Sequence, residues 1–582
     1  MVLYGIMIIS LFKEDHLVAY FLKKSTFSRG LYLQIYESYH DKKTKTSRHK
    51  CFKKLGYVSD LVSDKIPDPV SYYKEEVKKL NAKRNKQLEE MKIQKIGDNP
   101  TRNFGYFIVK NLYNTLELEK ELYPFKYMCD FTYPISSLIE ALTYSRTINP
   151  CSKLRTFNEV IPYLYEEYNF SLDQIYDGLN YIGSEYEKFI EVINYCIEKK
   201  YGRNTSKSYF DCTNYYFEID FEKDDKQKGP SKENRPNPII GQALLLDGDS
   251  IPLNMRMYPG NESEKPKIRE LIKEMKEQNN IKGKTIQVAD KGLNCGDNIY
   301  NALLNKDGYI FSQSVLQLEE KEKNWVLLDN DYEEVKDNEG NLLYKIKACV
   351  DEFPIRVTDD KGRKEIVKVK QKRVATFNPS LAAKKKIEIN KLVEKAKSLC
   401  HSEAKKEEYG ESSKYVKFVD EEGKKASVLI NQDKIDKDLK YAGYNLIVSS
   451  EINMSKHEIY RVYHQLWKIE NTFRIMKSEL DARPIYLQKR ESIYGHFLIC
   501  YYAITLLRLL EEKVYKNVFS AYELIDLIRG FKLFKGEDRN INLTKKTTNV
   551  TKLCEMYKFN ADYMYLSDSQ TKKLFNLKYK IK

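Results

Sequence analysis

From Ser208 to Gln313 the chain switches repeatedly between a period of two and a helical period, and this order restricts its fold more than any other feature. Ser208–Ile219, SYFDCTNYYFEI, alternates aromatic and small residues and predicts a strand. Two further strands, Ile239–Leu246 and Pro252–Tyr258, flank the turn DGDS at Asp247–Ser250. Glu264–Gln278 has an amphipathic helical pattern. Thr285–Ala289 is a short apolar strand that ends at Asp290, followed by Lys291 and Gly292. Asn298–Asn305 then reads as helix and Tyr309–Gln313 as strand. Strands followed by helices in this order predict an α/β layer structure. Residues 315–439 loosen into strand-like pieces (Trp325–Leu328, Leu342–Val350, Glu365–Ala375), a charged helix (Pro379–Ser398) and polar loops. That length exceeds a connection within a compact domain and predicts an inserted subdomain. Tyr444–Val448 restores a strand.

The next segment, Ser455–Leu480, predicts a helix. Ser455 and Glu458 have the spacing of a capping box. Leu466, Ile469, Phe473, Met476 and Leu480 recur at steps of three and four. Tyr463, Glu470 and Lys477, seven residues apart, fall on one line of a continuous helix. Alone, such a stripe suits a solvated face at least as well as a site that handles charge.

The flanks are less regular. Val2–Phe12 reads as a strand, too short to span a bilayer and without the basic start or cleavage site of a leader. Leu31–Tyr57 alternates around a polar turn at Asp41–Thr46. Val70–Lys95 is a charged helix, either a solvated linker or an arm that contacts nucleic acid. Ile135–Lys200 is helical, with breaks at Pro150, Pro162 and Gly183. Leu498–Leu510 suits a buried core helix. The predicted division is 1–60, strand-rich; 61–205, mainly helical and a candidate for DNA-end binding; 206–314, first part of a core; 315–439, insertion; 440–512, second part of the core; and 513–582, a basic tail.

Charge and cysteine content narrow the function. Ninety-nine Lys and Arg against 84 Asp and Glu leave a net charge of +15, which favours polyanions, above all nucleic acid. The composition also resembles that of an AT-rich genome, which inflates lysine without functional cause. Ten scattered cysteines without a Cys-x-x-Cys pair argue against a disulfide framework or zinc ribbon and suit a reducing cytoplasm. No membrane association is expected.

Three acids stand out by position. Asp211 lies inside a strand, where a carboxylate needs a partner or a task. Asp290 ends a strand at the edge where α/β proteins place their sites. Glu470 projects from the helix that follows another strand. Carboxylates that converge there repel one another unless divalent cations neutralise them, and two such ions can clamp a phosphodiester. Each acid alone is as well explained as a surface or turn residue.

The segments SYFDCTNYYFE, SKENRPNPIIGQALLLDGDSIPLNMRMYPGNESE, VADKGLNCGDN and YHQLWKIENTFRIMK, with YSRTINPCSKLRTFNEV ahead of them, resemble the DDE transposases of bacterial insertion sequences. In particular they are similar to the insertion-sequence-four superfamily, with its Tyr-x2-Arg-x3-Glu-x6-Lys signature. Leu466 stands where that signature has Arg, and Arg461 or Arg474 is a substitute. Cys295 stands where the family often has an aromatic. The resemblance implies an RNase H-like mixed-sheet α/β catalytic core, interrupted by a strand-rich insertion and preceded by a mainly helical region. It further implies two Mg²⁺ or Mn²⁺ ions held by Asp211, Asp290 and Glu470 as the catalytic residues. The expected activity is cleavage of double-stranded DNA at terminal inverted repeats, followed by strand transfer to target DNA. Tyr463, Lys477, Arg474, Lys291 and Arg235 are expected to contact DNA, and Trp325 to receive a flipped base or pack in a core. A homodimer on DNA and a bacterial cytoplasmic, nucleoid-associated location are also implied. Two alternatives stay open: an RNase H-like nuclease without strand transfer, and a non-catalytic DNA-binding descendant.

Overall fold

The structure, a computed structural model, describes residues 19–41, 46–92, 101–128, 131–233, 235–278, 283–359, 361–401, 406–419, 427–536, 539–557 and 560–579. The expected strand Val2–Phe12 lies outside them. Contacts divide the chain into two compact units, Met1–Pro100 and Thr101–Lys582. In the first, strands Tyr20–Phe27, Gly30–Asp41 and Thr46–Tyr57 form an antiparallel sheet. The helix Pro69–Lys92 is fastened to it by Asn81, whose side-chain amide exchanges two 2.9 Å hydrogen bonds with the Tyr20 backbone.

The second unit is built on a nine-stranded sheet. Its strands are β1 (Lys207–Tyr216), β2 (Ile239–Leu246), β3 (Pro252–Pro259), β4 (Ile286–Ala289), β5 (Gly308–Gln313), β6 (Glu333–Lys336), β7 (Leu342–Thr358), β8 (Lys364–Phe377) and β9 (Tyr444–Ser449). Their spatial order is β6-β7-β8-β9-β5-β4-β1-β2-β3. Strands β1 to β3 pair antiparallel, while β4 lies parallel to both β1 and β5. This mixed arrangement agrees with the α/β layers that the element order predicts and with the RNase H-like core that the resemblance implies. Strands β7 and β8, from the inserted stretch, pair through β8 with β9 and so widen the same sheet.

Both faces of the sheet are covered, which accounts for the near-continuous apolar runs of β2 and β5. The period of two sends alternate residues to opposite cores. Tyr209, Tyr215, Val288, Ile310 and Ile447 enter one core; Phe210, Cys212, Ala289, Tyr309 and Phe311 enter the other. The second face is covered by α1 (Lys267–Gln278) and α2 (Gly296–Leu304), which contribute Ile268, Leu271, Ile272, Met275 and Ile299 to its core. The first face carries α3 (Lys456–His464), α4 (Trp467–Arg474) and α5 (Arg490–Leu509), together with the helices Phe107–Leu116, Ile135–Ile148, Leu172–Ser184 and Tyr186–Tyr201. Helix Leu172–Ser184 meets α5 backbone to backbone. A Cβ on Gly183 would stand 1.8 Å from the Glu491 carbonyl oxygen, and one on Gly495 2.1 Å from that of Leu179. Within Arg490–Val514 the stretch that is long and apolar enough to cross a membrane is buried throughout in this core.

Two local expectations are corrected. Trp325–Leu328 is not a strand but the end of the helix Glu320–Leu327. Acidic Glu320 and Glu322 in its first turn favour that state, and Val326 is fully buried on its inner side. Ser455–Leu480 is not one helix. Ser455 Oγ does accept the Glu458 N–H at 3.1 Å, but short-range bonds at Gln465 and Leu466 end α3 and start α4, and a π-helical turn covers Ile475–Glu479. The tail is folded as well. Helices Ala521–Gly530, Thr548–Tyr557 and Asp568–Phe575 accompany three short strands that form a four-stranded sheet with Thr101–Asn103.

Candidate active site

Strand alternation places the acids. Asp211 shares the face of β1 with Tyr209 and Tyr215, the face covered by α3 and α4. Asp290 follows Ala289 at the end of β4, continuing the side of Val288. Ser312 of β5, on the side of Ile310, donates its hydroxyl to Asp290 Oδ1 at 2.9 Å. Tyr463, at the end of α3, donates its phenol to the same oxygen at 3.1 Å. Burial, and then the charge of Asp290, hold that phenol well above its ordinary pKa, with a smaller contribution from Glu470. Tyr463 therefore stays protonated and remains a donor at neutral pH.

Asp211 is in a different environment. Its side chain is one-quarter exposed, and Oδ1 accepts the backbone N–H of Cys212 at 2.8 Å. Burial pushes its pKa up to about 6; Glu264 and Asp290 add to the rise, and Lys232 opposes it. The Lys232 ammonium stands 3.9 Å from Asp211 and 3.3 Å from Glu264, and donates to the Cys212 carbonyl. Glu470, on α4, is exposed, and its carboxylate forms no hydrogen bond or ion pair among the described residues.

The expected DNA contacts fall into two groups. Arg474, Lys291 and Arg235 are exposed, Arg235 lying over the Tyr216 ring at 4.1 Å. Lys477 is instead half-buried, 3.6 Å from Glu233 and 5.1 Å from the centre of the Tyr215 ring. With α3 and α4 broken apart at Gln465–Leu466, the line of Tyr463, Glu470 and Lys477 is interrupted. Trp325 is half-buried against the second core, with the Lys347 ammonium 5.0 Å from its ring. Leu466, at the position of the signature Arg, is buried.

Sequence reasoning did not single out Lys232, Glu264, Ser312 or Arg483. Lys232 lies in the polar loop SKENRPN between β1 and β2, and a lysine there has no periodicity to mark it. Ser312 was legible in principle, because strand parity puts it beside Asp290. Arg483 pairs with Glu233 and stacks on Tyr216, a contact between segments far apart in the chain.

Oxygen donors only, two of them electrostatically coupled, fit a hard divalent cation. Among the described residues, no three His, Cys, Asp or Glu side chains form a cluster that could hold one ion. The donor chemistry fits the group, while Lys232 supplies the positive charge at Asp211.

No curated protein matches the chain. Residues 217–506 match a family model described as Transposase DDE domain. The match begins just beyond Asp211 and includes Asp290 and Glu470. Proteins of this family generally use divalent metal ions and act on DNA. The match and the mixed sheet together support the reading that residues 217–506 form a transposase DDE domain.

Proposed function

We propose that Asp211, Asp290 and Glu470 are the catalytic acids of a cut-and-paste transposase of the insertion-sequence-four type, which cleaves DNA at terminal inverted repeats and joins the freed end to target DNA. The observation that carries this reading is the side-chain network at Asp290. Strand β5 and helix α3 both deliver a hydroxyl to one oxygen of a carboxylate that is charge-coupled to Asp211.

Mg²⁺ or Mn²⁺, two ions held by Asp211, Asp290 and Glu470, would supply Lewis acidity for water activation and for the departing oxygen. The protein's own groups orient the reaction. Ser312 and Tyr463 fix one oxygen of Asp290 and leave the other free. Lys232 neutralises Asp211 while no other cation is present. Lys291, Arg474 and Arg235 are exposed cations suited to backbone phosphates. Lys477 and Tyr463 would join them, and Trp325 would receive an extruded base once freed from its packing. Double-stranded DNA bearing two ends requires a dimer in the complex, with end recognition by residues 61–205 and the tail.

The test is Mg²⁺-dependent nicking of an end-containing duplex, followed by joining to a target plasmid. Nicking lost in Asp211→Ala, Asp290→Ala and Glu470→Ala with DNA binding retained supports the assignment. Nicking without joining identifies a nuclease, and binding without nicking in the unmutated protein identifies a non-catalytic descendant.

A further inference from the structure

Behind helices α3 and α4, three segments bring basic side chains into the interior, where they form no ion pair with a carboxylate among the described residues. Arg146 comes from the helix Ile135–Ile148, Lys153 from the short turn after it, and His496 from α5. They are 4 %, 5 % and 4 % exposed. The Arg146 guanidinium donates to the carbonyls of Cys151 at 3.2 Å, Leu480 at 3.3 Å and Asp481 at 3.4 Å. His496 Nε2 lies 3.1 Å from the Ala482 carbonyl, which requires a proton on that nitrogen. Its Nδ1 is then the acceptor, 3.2 Å from Lys153 Nζ and 3.5 Å from Arg146 Nη2.

Lys153 thus uses one of its three donors, and neither it nor Arg146 forms an ion pair among the described residues. Asp481 lines the same cleft and its carboxyl feels the charge of Arg146, but it forms no salt bridge with either cation among the described residues. An ammonium so placed is costly unless an anion meets it. Burial, and then Arg146, bring the Lys153 pKa down to about 7. The cleft in front of the two cations has a volume of about 40 Å³ and is rimmed by Tyr176 and Tyr486. That exceeds the roughly 10–15 Å³ that a single water needs, so the cleft has room for a small polar group.

We propose that Arg146 and Lys153, oriented by His496, form a buried pocket for a phosphate dianion. Its source is either inorganic phosphate or the 5′-terminal phosphate of a DNA strand. The burial of both cations excludes an internal backbone phosphate, whereas a terminal group can project inward. Because Leu480, Asp481 and Ala482 directly follow the turn after α4, an occupied pocket fixes the end of the segment that carries Glu470. The DNA source rests on the transposase reading; the pocket itself does not.

The experiment uses the full chain without divalent metal. Inorganic phosphate should raise the Tm of the unmutated protein and of Lys153→Arg, relative to chloride at matched ionic strength, and leave Lys153→Met unmoved. A 5′-phosphorylated oligonucleotide should bind about tenfold more tightly than its 5′-hydroxyl counterpart. Loss of that difference in Lys153→Met assigns the pocket to DNA ends, whereas a response to inorganic phosphate alone assigns it to the free ion. If neither ligand affects the unmutated protein, or both act equally on Lys153→Met, the proposal is overturned. Should Lys153→Met fail to fold, Arg146→Gln provides the same reading, and an undiminished phosphate response in it is equally fatal. Catalytic activity enters none of these measurements, so the pocket and the acid assignment can fail separately.

Discussion

The sheet edge and the cleft beside α5 are both charged, but they balance charge in opposite ways. At the edge, Asp211, Asp290 and Glu264 crowd together, and Lys232 supplies a cation from a loop. In the cleft, Arg146 and Lys153 face one neutral imidazole and three carbonyls. The acids lie at a rim where solvent and ions have access, whereas the bases are shut in. An uncompensated charge at a rim is cheap and can wait for its partner; one in the interior is destabilising until the partner arrives.

That contrast is most exposed to test at Lys153. In the unfolded chain Lys153 holds its proton up to about pH 10.5, in the fold only up to about 7. The unfolded state therefore binds more protons between those values, and stability should rise with pH across that window. Below pH 7 the buried ammonium costs about 5 kcal/mol. Lys153→Met should remove this slope and be the more stable protein at pH 6, with the gap closing toward pH 10.5. Equal pH profiles in thermal melts would refute the interior half of the comparison.

At the rim, loss of Asp211, Asp290 or Glu470 should lower the nicking rate by at least about 10²-fold with little change in stability. Gel assays paired with melts measure both, and a variant that keeps its rate removes that acid from the site. Tyr463→Phe deletes one donor to Asp290, a loss of about 1.5–3 kcal/mol in a charged hydrogen bond. It should slow nicking by about 10- to 10²-fold at saturating DNA, while the KM for DNA changes less. A change confined to KM would make Tyr463 a DNA contact only. The smallest effect is expected at Lys291→Ala, an exposed cation, which should weaken binding severalfold and reduce the salt slope by about one.

The two regions also differ in how far the sequence disclosed them. Asp211 and Asp290 were legible because a carboxylate inside or at the end of a strand contradicts its surroundings, and Glu470 because it falls on the Tyr-x2-Arg-x3-Glu-x6-Lys spacing of the resembled signature. Strands β1 to β5 were legible from their period. Trp325–Leu328 was misread because four apolar-rich residues fit a strand or a helix equally well. The break at Gln465–Leu466 leaves the apolar period of Ser455–Leu480 intact and so was invisible. The basic cleft could not be read at all, since Arg146, Lys153 and His496 meet only after α5 packs against the helix Ile135–Ile148.

Strand β9 sits between β5 and β8, yet more than sixty residues of chain separate β8 from it. During synthesis, β5 and β8 must therefore wait for Tyr444–Ser449 to leave the ribosome before their facing edges can close. Until then both are open strand edges whose backbone groups lack their partner, the kind that recruit other chains. Any truncation between residues 378 and 443 freezes the protein at that stage. Such fragments should accumulate as aggregates, and a stop codon there would yield insoluble product rather than a smaller folded domain.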